Sequence, residues 1–516
     1  MNIIKIKIDL NMVRCYNILQ YLIMTKFSCE KCGKGFNSKS HYTQHNNRKT
    51  PCVNENKVKE MIEKSVEDKL SKLNIHIPVT SPPISTDTDA TIESSSITEL
   101  KEYYDRTLNM DKSTYKNSND EPTPIDCISE MITKIPVELW SRSELSILDP
   151  CCGNGNFSIP IYFELLKHHS RKKILEEILE FNDTNESRLE NVRKVFCNDK
   201  NALRVSSNDF IEYNNEKKYD LIVANPPYAK FLENGKRASK NHNLIKDFIE
   251  KALSQLKEGG YLLFITPDNW MSYADRNILI KRLTELQIIH LDIHSAKKYF
   301  KKIGSSFTWY VIENKPCYKN MTVSGTWKKK AYESSVESGS RRYIPLLYNE
   351  TVRNILSKTV DDIDLARFEV QTSSDLHKYT KRDLIHVVES EEYKYKLIHT
   401  PSQTVYASRP HKYQEGYKVF ISTTDKYKVF IDECGMTQSI VFIRCSCKEQ
   451  AIRYKKILEH PLYTFINNIC RWGNFNNIRI LQSFPIPNMD YDGDHKKIFS
   501  YFNITEEEIN FMKEYI

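Results

Sequence analysis

The chain has 516 residues, with 75 Lys and Arg against 67 Asp and Glu, a formal net charge of +8. At roughly 100–200 residues per domain this length implies two to four domains, and 40% hydrophobic with 28% charged residues is a globular composition, which argues against a disordered or collagen-like chain. No run approaches the roughly eighteen uncharged apolar residues of a membrane helix, and the N-terminus lacks the apolar centre and cleavage site of a signal peptide. Thirteen scattered cysteines then read as thiols of a reducing intracellular compartment, cytoplasm or nucleus, not as a disulfide scaffold.

In chain order, residues 1–24 read as an extension ahead of the first motif, with Met24 a second start. Residues 25–52 form a Cys/His module: Cys29-x-x-Cys32, twelve residues to His45, then Cys52. Two cysteines, a helix-borne histidine and a fourth soft ligand suit a tetrahedral structural zinc, with His41 an alternative ligand and Phe36 and Tyr42 the miniature core. Between Lys26 and Lys59, eight Lys or Arg face two Glu, so nucleic acid is the expected partner of this module and protein the competitor. Residues 55–75 place Val58, Met61, Ile62, Val66, Leu70 and Leu73 at helical spacing. Residues 78–98 hold thirteen Ser, Thr or Pro in twenty-one positions and predict a flexible linker.

From 120 to 315, short apolar strands alternate with helices such as 244–257: strands are expected at 145–150, 194–196, 219–228, 261–267, 288–293 and 307–313. This alternation predicts an α/β fold with a doubly wound sheet. In ILDPCCGNGNF, Asp149 closes a strand and Gly153 and Gly155 lie in the turn, where a backbone must bend sharply and let a ligand approach. The dinucleotide fingerprint fails at Ser158, and an acid ahead of the turn suits a cationic ligand better than a pyrophosphate. Asn225-Pro226-Pro227-Tyr228 follows a buried strand, at the edge where such sheets bind ligands.

With these motifs in order, residues 120–315 resemble the catalytic domain of S-adenosylmethionine-dependent DNA adenine-N6 methyltransferases. The resemblance implies catalytic roles for Asn225, Pro226, Pro227 and Tyr228, and cofactor contacts from Thr123 and Pro124 of a Thr-Pro motif, from Asp149, Gly153 and Gly155, from Asp199 as ribose-binding acid, and from Asp209 and Phe210 against the adenine ring. The stretch between Gly155 and Asp199, about 44 residues, is longer than the family's. The implied chemistry suits the residue types. An adenine amino nitrogen is a poor nucleophile, and two fixed acceptors, the Asn225 side chain and the Pro226 carbonyl, would aim its lone pair. Tyr228 would stack on a base extruded from duplex DNA. Phe307 reads equally as a second stacking ring or as a sheet-core aromatic.

Residues 316–516 then fall where the family carries a target-recognition region, with Lys328, Lys329, Lys330, Arg341 and Arg342 placed to meet phosphates. RWGNFNNIRILQSFPIP (471–487) resembles the end of such regions. The Cys/His module resembles fingers in proteins of large DNA viruses. Three other readings share some of these features. Release-factor glutamine methyltransferases carry the same tetrad but are shorter, without a large C-terminal region. Cytosine-N4 enzymes more often begin the tetrad with Ser. A catalytically dead zinc-finger binding protein would not need the intact motif set.

Overall fold

The computed structural model describes residues 27–29, 35–36, 39–46, 90–111, 121–196, 203–213, 216–228, 244–300, 306–424 and 426–515. The chain divides into two compact units, Met1–Thr88 and Asp89–Ile516. Cys32, Cys52, the expected helix at 55–75, the extension 1–24 and Asp199 lie outside the described residues.

In the first unit, strands β1 (Phe27–Ser28) and β2 (Gly35–Phe36) pair antiparallel and helix α1 (Lys39–Asn46) follows. The Tyr42 ring stacks on Phe27 at 5.7 Å, and Cys29 and His45 are buried. Among the described residues no group of three or more His, Cys, Asp or Glu is placed to hold a metal.

The second unit begins earlier than the sequence suggests. The flexible linker expected over 78–98 does not extend across its last nine residues. Ile92 is buried and its N–H donates to the Val195 carbonyl (3.0 Å), and α2 (Ile97–Tyr103) starts at Ser96, which exchanges capping bonds with Glu99. Six polar residues out of nine hid a helix cap, because Ser and Thr favour caps as much as linkers. The helix continues as a wider turn to Leu108, and Leu100, Tyr104 and Leu108 enter the core.

Nine strands make the central sheet: β3 (Ile147–Asp149), β4 (Leu179–Asn182), β5 (Val205–Ser206), β6 (Tyr219–Ala224), β7 (Leu256–Pro267), β8 (Leu286–Ile293), β9 (Phe307–Pro316), β10 (Met321–Trp327) and β11 (Lys330–Val336). Their order is β11-β10-β8-β9-β7-β6-β3-β4-β5. β9 runs antiparallel to both neighbours and β11 antiparallel to β10, while the other pairs are parallel. The sheet is therefore mixed, with a doubly wound parallel half. From β3 the chain builds outward through β4 and β5, then returns to add β6 and β7 on the other side. β3 and β6 thus flank a switch point, where crossover loops diverge and leave a crevice.

Along β6 every residue is buried, as expected of a strand covered on both faces. Leu221 and Val223 join one apolar cluster with Ile128, Phe181 and Trp309, while Ile222 and Ala224 join another that runs on into Tyr463, Phe484 and Met512. Two expectations are corrected here. Residues 194–196 are not a strand but the end of α5 (Glu186–Phe196), whose Leu189, Val192, Val195 and Phe196 are buried at helical spacing. The second strand is instead Leu179–Asn182. The sheet also does not end at 315: Met321, Val323 and Gly325 of β10 alternate inward, so the hairpin 321–336 belongs to the sheet and not to a separate recognition region.

Beyond it, β12 (Ile385–His386), β13 (Tyr395–Thr400), β14 (Gln403–Ala407) and β17 (Gly435–Met436) form one small sheet, and β15 (Lys418–Ser422), β16 (Val429–Asp432) and β18 (Ile440–Arg444) another. Helices at Lys448–Leu458, Pro461–Ile469 and Glu506–Tyr515 close the unit. Among the described residues no helix is long and apolar enough to cross a membrane.

Candidate active site

Asp149, the last residue of β3, is 2% exposed, and neither carboxylate oxygen has a hydrogen-bond partner. Burial pushes its pKa well above the usual carboxylate range, and the nearby Cys151 amide only partly offsets this. The turn after it needs two glycines for different reasons. Gly153 (φ +56) and Gly155 (φ +89) both adopt left-handed backbone. A Cβ on Gly155 would lie 2.9 Å from the Phe196 ring, so this glycine lets α5 pack close. A Cβ on Gly153 would meet nothing nearer than Arg188 at 4.0 Å, so the space over this glycine is open.

Several residues that sequence reasoning missed hold this turn. Asp183, just past β4, accepts from the Gly153 N–H (2.9 Å). The Tyr104 hydroxyl donates to the Asn154 carbonyl (2.7 Å), and Asn154 Nδ2 reaches the Leu108 carbonyl (3.2 Å). Asn182 Nδ2 donates to the carbonyls of Pro150 (2.9 Å) and Asn208 (3.0 Å), which joins the turn to the Asp209 loop. The readable signal for Asp183 was an acid directly after the apolar run ILEEILEFN. Asp183 holds the strand-end place that the resemblance assigned to Asp199.

Asp209 is exposed, its Oδ1 accepting from the Ile211 N–H (3.0 Å), while the Phe210 ring is buried against Phe248 at 4.8 Å. Thr123 is buried and its carbonyl accepts from Asn156 Nδ2 (3.0 Å). Pro124 is the N-cap of α3 (Ile125–Ile132): its carbonyl accepts from the Ile128 N–H (3.1 Å), and it offers no side-chain cap.

At the end of β6, Asn225 is half-buried, Pro226 buried and Pro227 exposed. Asn225 Nδ2 donates to the Glu121 carbonyl (3.1 Å) and to Thr123 Oγ1 (3.2 Å), and the Tyr228 hydroxyl donates to Asn225 Oδ1 (2.6 Å). Cys151 Sγ approaches the Asn225 carbonyl at 3.5 Å, so the two turns touch. The Phe307 ring lies 6.4 Å from Tyr228 and 4.9 Å from Phe300 and is 4% exposed, which makes it core and closes its faces to a base.

β7, the strand beside β6, runs out into Asp268–Met271, and there a cleft of about 1050 Å³ opens toward the C-terminal region. Asn269, Tyr273 and Arg276 line one wall, and Trp472, Phe475 and Arg479 the other. Trp472 and Phe475 are 46% and 58% exposed on a tight turn that Gly473 (φ +54) permits. Of the basic residues expected to meet phosphates, Lys328 and Lys329 form the exposed tip of the β10–β11 hairpin. Lys330 pairs with Glu514, Arg341 bonds the Glu337 carbonyl, and Arg342 pairs with Asp361.

Residues 86–300, less than half of the chain, match the Eco57I restriction-modification methylase family. The chain is similar to a type II methyltransferase, M.VspI, of Vibrio sp. (strain 343): 29% identity over 209 residues, covering 37% of this chain and 47% of that protein. It is also similar to an uncharacterized adenine-specific methylase of Mycoplasma pneumoniae, 26% identical over 176 residues, covering 32% of this chain and 40% of the relative. The match thus spans about half or less of these relatives. Among solved structures, a nuclease-deletion mutant of the type ISP restriction-modification enzyme LlaGI, in complex with a DNA substrate mimic, superposes at a TM-score of 0.48 and 12% identity, covering 84% of this chain and 59% of that one.

Proposed function

We propose that this protein is a DNA methyltransferase that transfers a methyl group from S-adenosylmethionine to the N6 amino group of adenine. The observation that carries the reading is the pairing, at one switch point, of a buried acid without a partner and a fixed amide acceptor. The residues fit the cofactor: Asp149 offers an uncompensated carboxylate to the methionine ammonium, and the space over Gly153 admits its backbone-sized end. Asp183 would hold the ribose hydroxyls and the Asp209 loop the adenine. When bound, S-adenosylmethionine supplies an electrophilic sulfonium methyl group.

The chain's own residues would then act on the base. Asn225 Oδ1 and the Pro226 carbonyl would each accept one N–H of the adenine amino group, which draws its lone pair out of the ring and points it across the switch point. Tyr228 would stack on the extruded base and give up its bond to Asn225 as the amino group arrives. The methylated nitrogen is acidic enough to lose its surplus proton to water, so no general base is required. The cleft between Asn269 and Trp472 would admit the duplex, and residues 337–515 would read its sequence. Cys29, Cys32, His45 and Cys52 would hold one structural zinc in a module that adds non-specific affinity for DNA.

Labelled-methyl transfer to duplex DNA, followed by nucleoside mass spectrometry, tests the reading. N6-methyladenine is expected. Label on cytosine, or on a release-factor glutamine, would overturn the substrate. A metal assay on the native protein should return about one zinc per chain, and none would reject the finger.

A further inference from the structure

An asparagine that presents an acceptor to a substrate must have its amide the right way round, and the side chain has no preference of its own. Rotation by half a turn about the last bond exchanges Oδ1 for Nδ2 at almost no cost and turns an acceptor into a donor. At Asn225 the choice is made by neighbours on a distant part of the chain. Both Nδ2 hydrogens are used, one by the Glu121 carbonyl at 3.1 Å and one by Thr123 Oγ1 at 3.2 Å. A backbone carbonyl can only accept, so the reversed amide would set oxygen against oxygen there. The Thr123 hydroxyl supplies the second acceptor; because a hydroxyl can also donate, it anchors the amide while the Glu121 carbonyl decides which way round it lies. On the other side the Tyr228 hydroxyl donates to Oδ1 at 2.6 Å, which marks that oxygen as the one facing the site.

We infer that Thr123 is a positioning residue for the methyl-transfer step, anchoring through its side-chain hydroxyl the Asn225 amide whose orientation the Glu121 carbonyl selects. The inference rests on the function proposed above and adds to it a task that a cofactor-binding threonine does not have. Thr123 is well placed for it. It is 2% exposed, and its own carbonyl is held by Asn156 Nδ2 (3.0 Å), one residue past Gly155. The segment 121–124 is thus a strap between the glycine turn and the catalytic loop, and the orientation of Asn225 depends on both ends being in place.

The test compares Thr123→Val, which keeps the branched shape and removes the acceptor, with Thr123→Ser, which keeps the hydroxyl. Methyl transfer is measured under saturating S-adenosylmethionine and cofactor affinity by calorimetry. Loss of one neutral hydrogen bond predicts a fall in kcat of about fivefold to tenfold for Thr123→Val that persists when cofactor saturates, with DNA KM within about twofold and Thr123→Ser near wild type. In an Asn225→Ala background Thr123→Val should have no further effect. A kcat that returns to the wild-type value once cofactor saturates, failure of Ser to rescue, or full multiplication of the two losses would each overturn the positioning role. A wild type that methylates no DNA adenine would sink the proposed function instead. High-resolution crystal structures of wild type and Thr123→Val then decide the positioning question alone: an Asn225 amide displaced from its wild-type place in the variant supports it, and one that keeps that place and its Nδ2 bond to Glu121 overturns it.

Discussion

The turns after β3 and β6 lie side by side at one edge of one sheet, yet they treat their polar groups in opposite ways. After β3, the Asp149 carboxylate is buried with no partner for either oxygen. After β6, the Asn225 amide has every strong bond filled, two by Nδ2 and one at Oδ1 by Tyr228. An unpaired buried acid costs stability, which is regained when a cation arrives. A fully bonded amide costs little and is already in its working position, with an internal hydroxyl standing where a substrate donor would go. On the proposed function, the first turn would gain its missing partner from a ligand, and the second would exchange one partner for another.

The largest effect expected is on the second turn. Asn225→Ala should lower kcat for methyl transfer by about 10²–10³, the usual loss for one preorganised group, while S-adenosylmethionine affinity stays within about threefold. Equal losses in both would erase the distinction between the turns.

Next comes the first turn. Asp149→Asn removes a charge-assisted contact and should weaken cofactor binding by about 10–100-fold in calorimetry, with kcat at saturation little changed. The pH dependence follows from the raised pKa of Asp149. A bound ammonium favours the ionised acid, so below that pKa binding must release a proton. Affinity should therefore fall as pH falls through the raised value, by up to tenfold per unit, and Asp149→Asn should flatten the profile.

A smaller contrast separates the glycines. Gly155→Ala meets the Phe196 ring as well as left-handed strain and should lower stability by about 2–3 kcal/mol in denaturant unfolding. Gly153→Ala carries the strain alone, about 1 kcal/mol, yet should weaken cofactor binding more. The reverse ranking in binding would move the ligand away from Gly153.

The smallest effect is expected for Tyr228→Phe. Freed of its hydroxyl donor, Asn225 Oδ1 should accept the base more readily, lowering KM for duplex DNA by about twofold to fivefold. A raised KM would mean that the hydroxyl itself touches the base.

Both turns were readable from sequence because each combines a buried apolar strand with residues whose backbone demands are unusual, glycine in one and proline in the other. The strands around them were found for the same reason. The second strand was not: LEFN is only four residues and follows the helical run ILEEI without a break, whereas 194–196 looked extended only because Val195 and Phe196 are the last inward positions of α5. With the strand moved to Leu179–Asn182, the acid directly after it is Asp183 in place of Asp199. The interactions that orient Asn225 were invisible for a different reason. Glu121 contributes a backbone carbonyl, and its position more than a hundred residues earlier has no signature in side-chain pattern. The C-terminal strands, two to six residues each and packed at mixed angles, never sustain a period long enough to read.

One apolar cluster runs without a break from Ile222 and Phe264 in the central sheet, through Val352 and Ile355, to Ile466, Phe484 and Met512. The C-terminal part is therefore not a cassette. A cut at residue 316 would strip β10 and β11 from the sheet edge and bare the apolar residues of the sheet that this cluster covers, so the remaining chain should not keep this fold. The sheet of β15, β16 and β18 feeds the same cluster through Val419, Ile421, Val441 and Ile443, so among the two small sheets and the Trp472–Phe475 turn, only the sheet of β12, β13, β14 and β17 and the exposed turn could change without disturbing the shared core.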